Sequence, residues 1–175
     1  DLAIAYHISG DRKYARKAVE IMDLWTSHTP LPGTCFDPEI RYPNTGMEVA
    51  RSMFPFLYAY DLLRADDLVP QASIEKFENW LKVLLPHIKE GARRWEANDY
   101  FGKQYYQNHI AADAMGLMSW GIILGDEALV SYALDSEENP RDVKDVIEGL
   151  ILMEGQKPYI NEPVIVKTED GEIMD

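Results

Sequence analysis

The chain has 175 residues, of which 46% are hydrophobic and 11% aromatic, and a formal net charge of -13. That length and apolar content are enough for one globular domain with a sizeable core and exclude a disordered chain. The acidity, with no cluster of Lys and Arg, argues against nucleic acid, whose phosphates are held by clustered cations; no run is long and apolar enough to suggest a membrane-spanning helix.

Helical periodicity dominates from the start. The opening "DLAIAYHISGD" reads as the tail of a helix already under way, and the closing "KTEDGEIMD" stops without a final element, so the chain is expected to be a piece of a longer protein. From Asp11 to about Ser27, Ala15, Ala18, Met22 and Trp25 recur at threes and fours among charged residues, which predicts an amphipathic surface helix. The four prolines and Gly33 between Thr29 and Pro43 predict a long loop.

Thr45-Gly-Met-Glu48 fits a capping box and opens a helix to about Leu63 that is apolar on most sides, with a kink expected at Pro55. Ser73 is the expected cap of the next helix, whose stripe of Ile74, Phe77, Leu81, Leu84 and Ile88 runs to a bend or end at Pro86. Residues 92 to 107 read as irregular and aromatic. Residues 108 to 124 read as a helix whose Ala111, Ala112, Ala114, Gly116 and Gly121 imply close contact with its neighbours.

Asn139-Pro140 is the expected N-cap and first-turn proline of a last helix, and Val164-Ile-Val166 carries the one competing strand pattern. Apolar and amphipathic helices thus alternate, which suggests two layers with the apolar ones inside. Two Gly-Asp steps, Gly10-Asp11 and Gly125-Asp126, each end one helix and begin another, as in repeated helical hairpins.

Asn108-His109 is the sharpest chemical feature. A histidine at a helix N-terminus feels the positive end of the dipole, which favours the neutral imidazole, and a neutral imidazole can accept a proton. The Asn108 amide can donate to a carboxylate or a developing oxyanion. On spacing alone the pair reads first as a helix cap, Asn108, and a first-turn surface or packing residue, His109.

Tyr105 and Tyr106, with Tyr100, Phe101 and Trp95 upstream, suit either a stacking platform for sugar rings or an anchor for the loop. The tyrosine hydroxyls are also candidate proton donors. Arg51 is a lone cation among apolar neighbours that could bind an anion or pair with Glu48. Arg93-Arg94-Trp95-Glu96 reads as a solvated loop. Glu96 and Asp99 are a weak candidate pair for glycoside hydrolysis.

His7, His28 and His87 have no ligand spacing, and the single cysteine, Cys35, permits neither an internal disulfide nor a cysteine-based metal site. No Gly-rich phosphate loop is present, so neither a cofactor nor a metal is expected.

The tract "MEVARSMFPFLYAYDLL", the segment "YYQNHIAADAMGLMSWGIILGD" and the helix "ENPRDVKDVIEGLILM" together resemble the alginate lyases and their relatives with the α/α toroid of chondroitin AC lyases. In such enzymes the motif is commonly Asn-Asn-His followed by an aromatic; here Gln107 stands first, and Ala111, Ala112 and Asp113 follow.

The resemblance implies an all-α fold, an incomplete α/α toroid of helical hairpins forming one domain over residues 1–175. It also implies a periplasmic or secreted enzyme that cleaves an acidic polysaccharide of uronic acids by β-elimination, without a nucleic-acid or membrane partner. Asn108 would hold the substrate carboxylate, His109 would take the proton, and Tyr106, or Tyr105, would protonate the departing oxygen unless a downstream tyrosine beyond this chain does so. Gln107, Tyr105, Arg51 and Trp95 would contact substrate. The competing expectations are an inverting glycoside hydrolase on a similar toroid and a noncatalytic helical-repeat module.

Overall fold

The computed structural model describes residues 1–28, 44–97 and 108–151, together with two short strands, Val166–Lys167 and Ile173–Met174. The fold is all-α. The helices among these residues are α1 (Leu2–Ser9), α2 (Arg12–Thr26), α3 (Asn44–Ala65), α4 (Gln71–Ala97), α5 (Asn108–Leu124), α6 (Glu127–Leu134) and α7 (Val143–Leu150). The strands pair antiparallel, Val166 opposite Met174.

Both Gly-Asp steps do what their residue types allow. Gly10 and Gly125 take the left-handed conformation, with φ of 69° and 64°, which costs glycine nothing. The next residue then caps the following helix: Asp11 accepts from the Lys13 backbone N–H at 3.0 Å and Asp126 from that of Leu129 at 3.0 Å. The chain therefore turns back on itself in two places by the same chemistry.

Three expected boundaries move. α4 begins at Gln71, its first turn accepted by the Pro70 carbonyl, while the buried Ser73 hydroxyl donates to Asp23 Oδ2 on α2 at 3.0 Å. The serine ties two helices together instead of starting one. At the far end α4 continues through Pro86 to Ala97, so residues 92–97 are helical and Arg93-Arg94-Trp95 is no loop. Pro55 likewise lies inside α3. Both prolines are exposed, where water can bond the carbonyl that each leaves without its N–H donor.

The third correction concerns α7, whose cap is Asp142 and not Asn139. Asp142 Oδ1 accepts from the Asp145 N–H and Oδ2 from the Ser136 N–H, both at 2.8 Å. Asn139 instead donates its amide to the Tyr132 carbonyl and braces the turn before the helix. Because Asp142 is buried and serves two backbone donors, Asp142→Ala is expected to cost about 2 kcal/mol. Chemical denaturation of the two proteins checks this.

Helices pack as consecutive hairpins, α1 on α2, α3 on α4 and α5 on α6. The odd-numbered members adjoin one another in a row, α1 to α3 to α5 to α7, and α2 packs on α4 behind them. α2, α4 and α7 are amphipathic, whereas α5 is apolar on nearly every side. The small residues of α5 permit close approach: a methyl group at Gly116 would lie 2.7 Å from the Ala50 Cβ on α3. The main core runs through Met53, Leu57, Tyr60, Phe77, Leu81, Ile88, Leu117 and Trp120, and Trp120 donates to the Leu81 carbonyl at 3.0 Å. A second, smaller core of Trp95, Ile110, Ala114 and Val146 lies where α4 ends and α5 begins.

Candidate active site

That second core is the floor of the candidate site. α5 is buried along most of its length, and its polar residues are most exposed in the first turn: Asn108 is exposed, His109 half-buried and Ile110 buried. The imidazole of His109 packs at a tilt against Trp95, with ring centroids 4.5 Å apart and ring planes at 43°.

Among the described residues, three influences act on the pKa of His109. Burial is the largest and lowers its pKa from the ordinary histidine value; the Arg51 guanidinium lowers it further, and the Glu48 carboxylate opposes both. The imidazole is therefore neutral near pH 7, the form that accepts a proton.

Arg51 and Glu48 both reach this environment from the first turns of α3. Among the described residues no salt bridge joins them, so they do not form the isolated helical pair that their spacing allowed. Asn108 faces α3 as well, its Nδ2 lying 3.6 Å from Met47 Sδ. The start of α3 and the start of α5 thus bring Asn108, His109, Arg51 and Glu48 into one neighbourhood.

Trp95 takes a different place from the one expected. Only 3% of it is exposed, so it has no face to offer a sugar. Its position on α4 instead makes it the wall behind His109. The end of α4 that carries it is strapped by Glu90, whose two carboxylate oxygens accept from Arg93 at 2.8 Å and from Arg94 at 2.7 Å. Glu90 precedes both arginines by one turn, the favourable orientation for such pairs, and they hold its pKa down at about 2.

Tyr105, Tyr106 and Gln107 lie outside the described residues, as do Tyr100, Phe101 and Asp99 and the side chain of Glu96. Among the described residues no group of His, Cys, Asp and Glu has the arrangement to hold a metal ion. None of the described helices is long and apolar enough to cross a membrane.

The sequence reading missed two participants. Glu48 was visible only as half of a capping box and as a possible partner for Arg51. Asp113 was visible only as a departure from an aromatic, yet it is a carboxylate one helical turn beyond His109 in a run of small apolar residues, which is itself a signal.

A family model described as alginate lyase matches residues 1–149. The chain belongs to the alginate lyase family. Comparisons with curated proteins and with solved structures return no match. Membership places the chain among polysaccharide lyases acting on acidic polymers, and the matched span contains α1 to α6 and nearly all of α7. Asn108, His109, Arg51 and Glu48 all fall inside the alginate lyase match.

Proposed function

We propose that the chain cleaves a uronic-acid polymer of the alginate or glucuronan kind by β-elimination, within an α/α toroid to which its hairpins contribute an arc, and that it acts in the periplasm or outside the cell. The observation that carries this reading is the neutral, half-buried His109 near an amide and a guanidinium at the exposed start of a largely buried helix, in a chain of the alginate lyase family.

The residue types answer the chemical problem. A proton α to a carboxylate is hard to remove until the carboxylate charge is offset. The Asn108 amide, with Arg51 adding positive charge, binds that carboxylate. A His109 ring nitrogen takes the C5 proton; the electrons of the C5–H bond form the C4–C5 double bond, and the bond from C4 to the glycosidic oxygen breaks. Tyr106, or Tyr105, returns a proton to that oxygen, unless a tyrosine later in the full-length protein does so.

The test is direct. The full-length protein, incubated separately with alginate, glucuronan and glycosaminoglycans, is expected to generate the ultraviolet absorbance of an unsaturated uronic product on at least one of them. New reducing ends without that absorbance would replace this reading with a hydrolase. No change on any polymer would replace it with a noncatalytic module.

A further inference from the structure

α5 carries one charged side chain in its buried interior, and the assignments above do not use it. Asp113 is 1% exposed. Both of its carboxylate oxygens are shut off from solvent and, among the described residues, neither has a hydrogen-bond partner. A buried polar group left in that condition is costly, so its retention asks for a reason.

Its surroundings are unusually tight. α3 and α4 meet at Gly46 and Gly91, where a methyl group on Gly91 would lie 2.8 Å from the Gly46 Cα. Asp113 closes that meeting from the α5 side: a methyl group on Gly46 would lie 2.8 Å from Asp113 Oδ1 and 3.2 Å from the His87 carbonyl oxygen. Real Cβ atoms do not approach backbone this closely, so three helices touch at a point that only glycine and this carboxyl group fill.

The point lies one turn from the candidate base. Gly91 and Trp95 are four residues apart on α4, and Asp113 and His109 are four residues apart on α5 in the opposite sense. Such pairs share a helix face, about 6 Å apart along the axis. Gly91 with Asp113 and Trp95 with His109 are therefore successive rungs between two antiparallel helices. α3 joins the same ladder, with Gly46 at the Asp113 rung, Met47 at Asn108, and Glu48 and Arg51 within electrostatic reach of His109.

We infer that Asp113 is a positioning residue: wedged at the Gly46–Gly91 crossing, its carboxyl group sets the separation of α3, α4 and α5 one turn below His109, and so fixes the imidazole against Trp95 and within reach of Arg51. This rests on the proposed role of His109 only for its effect on activity.

The wedge works as a neutral acid. Burial alone pushes the Asp113 carboxyl up to about 8. Among the described residues, no charged group of α3, α4, α6 or α7, nor His109 on α5 itself, contributes to that shift, so neither a cation nor a second carboxylate acts on it. Ionisation would place a charge with no donor at a close contact of the three helices and force them apart.

Nuclear magnetic resonance of the His109 ring in the full-length protein tests the inference without substrate. In the wild type the ring signals are expected to show a second inflection on the alkaline side of the imidazole's own titration, and Asp113→Asn, which keeps the shape and cannot ionise, is expected to abolish it. Asp113→Ala, which removes the wedge, is expected to move the imidazole pKa upward by about half a unit and to lower kcat/KM on the cleaved polymer by about tenfold, with Asp113→Asn keeping both near wild type.

A wild-type ring without the alkaline inflection would overturn the inference, as would an Asp113→Ala protein with unchanged His109 titration. If the ring responds as expected while His109→Ala retains full lyase activity, the positioning stands and the catalytic assignment falls.

Discussion

Replacing His109 with alanine is expected to lower the rate of polymer cleavage by about 10²- to 10⁴-fold, the contribution of a positioned base, while leaving the fold intact. The ring is half-buried at a helix start, and the neighbouring core residues Trp95, Ile110, Ala114 and Val146 remain in place. Circular dichroism and steady-state kinetics on one preparation separate the two effects. A loss of activity matched by a loss of helix would point to packing, and full activity would remove His109 from the mechanism.

The pH profile adds an independent reading. Because burial and Arg51 lower the imidazole pKa, the acid limb of kcat/KM is expected below about 6.5, the ordinary histidine value. Asn108→Ala is expected to act differently, raising KM as well as reducing kcat, since an amide that binds the carboxylate does so before and during proton removal.

The second large effect concerns stability. The folded-state pKa of Asp113, about 8, lies above its ordinary value of 3.8. Between those two values the native state holds a proton that the unfolded chain has released. Stability therefore falls as pH rises through this window, and the group adds no further slope above about 8. At about 1.4 kcal/mol per pH unit, Asp113 alone is expected to withdraw on the order of 4 kcal/mol between about pH 5 and about pH 8.

Asp113→Asn removes this dependence. The asparagine protein is expected to match the wild type near pH 4 and to exceed it by that amount at mildly alkaline pH, in urea denaturation followed by circular dichroism. His109 and His87 also titrate here, and burial lowers both; they act in the opposite direction and cancel in the difference between the two proteins. Parallel stability curves would show that Asp113 ionises freely in the folded chain.

Much of the architecture was legible in the order of residues. The Gly-Asp steps carry their geometry locally, since a left-handed glycine and an aspartate cap need nothing from elsewhere in the chain. The start of α5 at Asn108 was readable for a similar reason: aromatic residues give way there to small apolar ones. Two of the misplaced boundaries share one cause. Ser73, Asn139 and Asp142 are all competent caps, and tertiary partners decide among them; Asp23 takes the Ser73 hydroxyl, and Tyr132 takes the Asn139 amide.

The candidate site was legible only in part. Asn108 and His109 stood out because a polar pair abuts a buried helix. The surroundings of His109 could not be read in advance, because Trp95 and Arg51 approach from helices 14 and 58 residues away in sequence. Trp95 suggested a sugar platform only while its segment was taken for a loop; a further turn and a half of α4 turns it inward. Asp113 was in plain view, but Gly46 and Gly91, which give it meaning, are scattered through the chain.

The stacking of hairpins described above also shapes how the molecule opens. Where each helical pair rests mainly on its neighbours, stability is close to a sum of nearest-neighbour terms, and a helix held by more neighbours opens later. Among the described helices α1 packs mainly on α2 and α3, whereas α5 is clasped by α3, α4, α6 and α7. Among the described helices, the amide hydrogens of α5 are thus expected to exchange last, and local openings elsewhere in the stack leave the start of α5, with its imidazole, as it was.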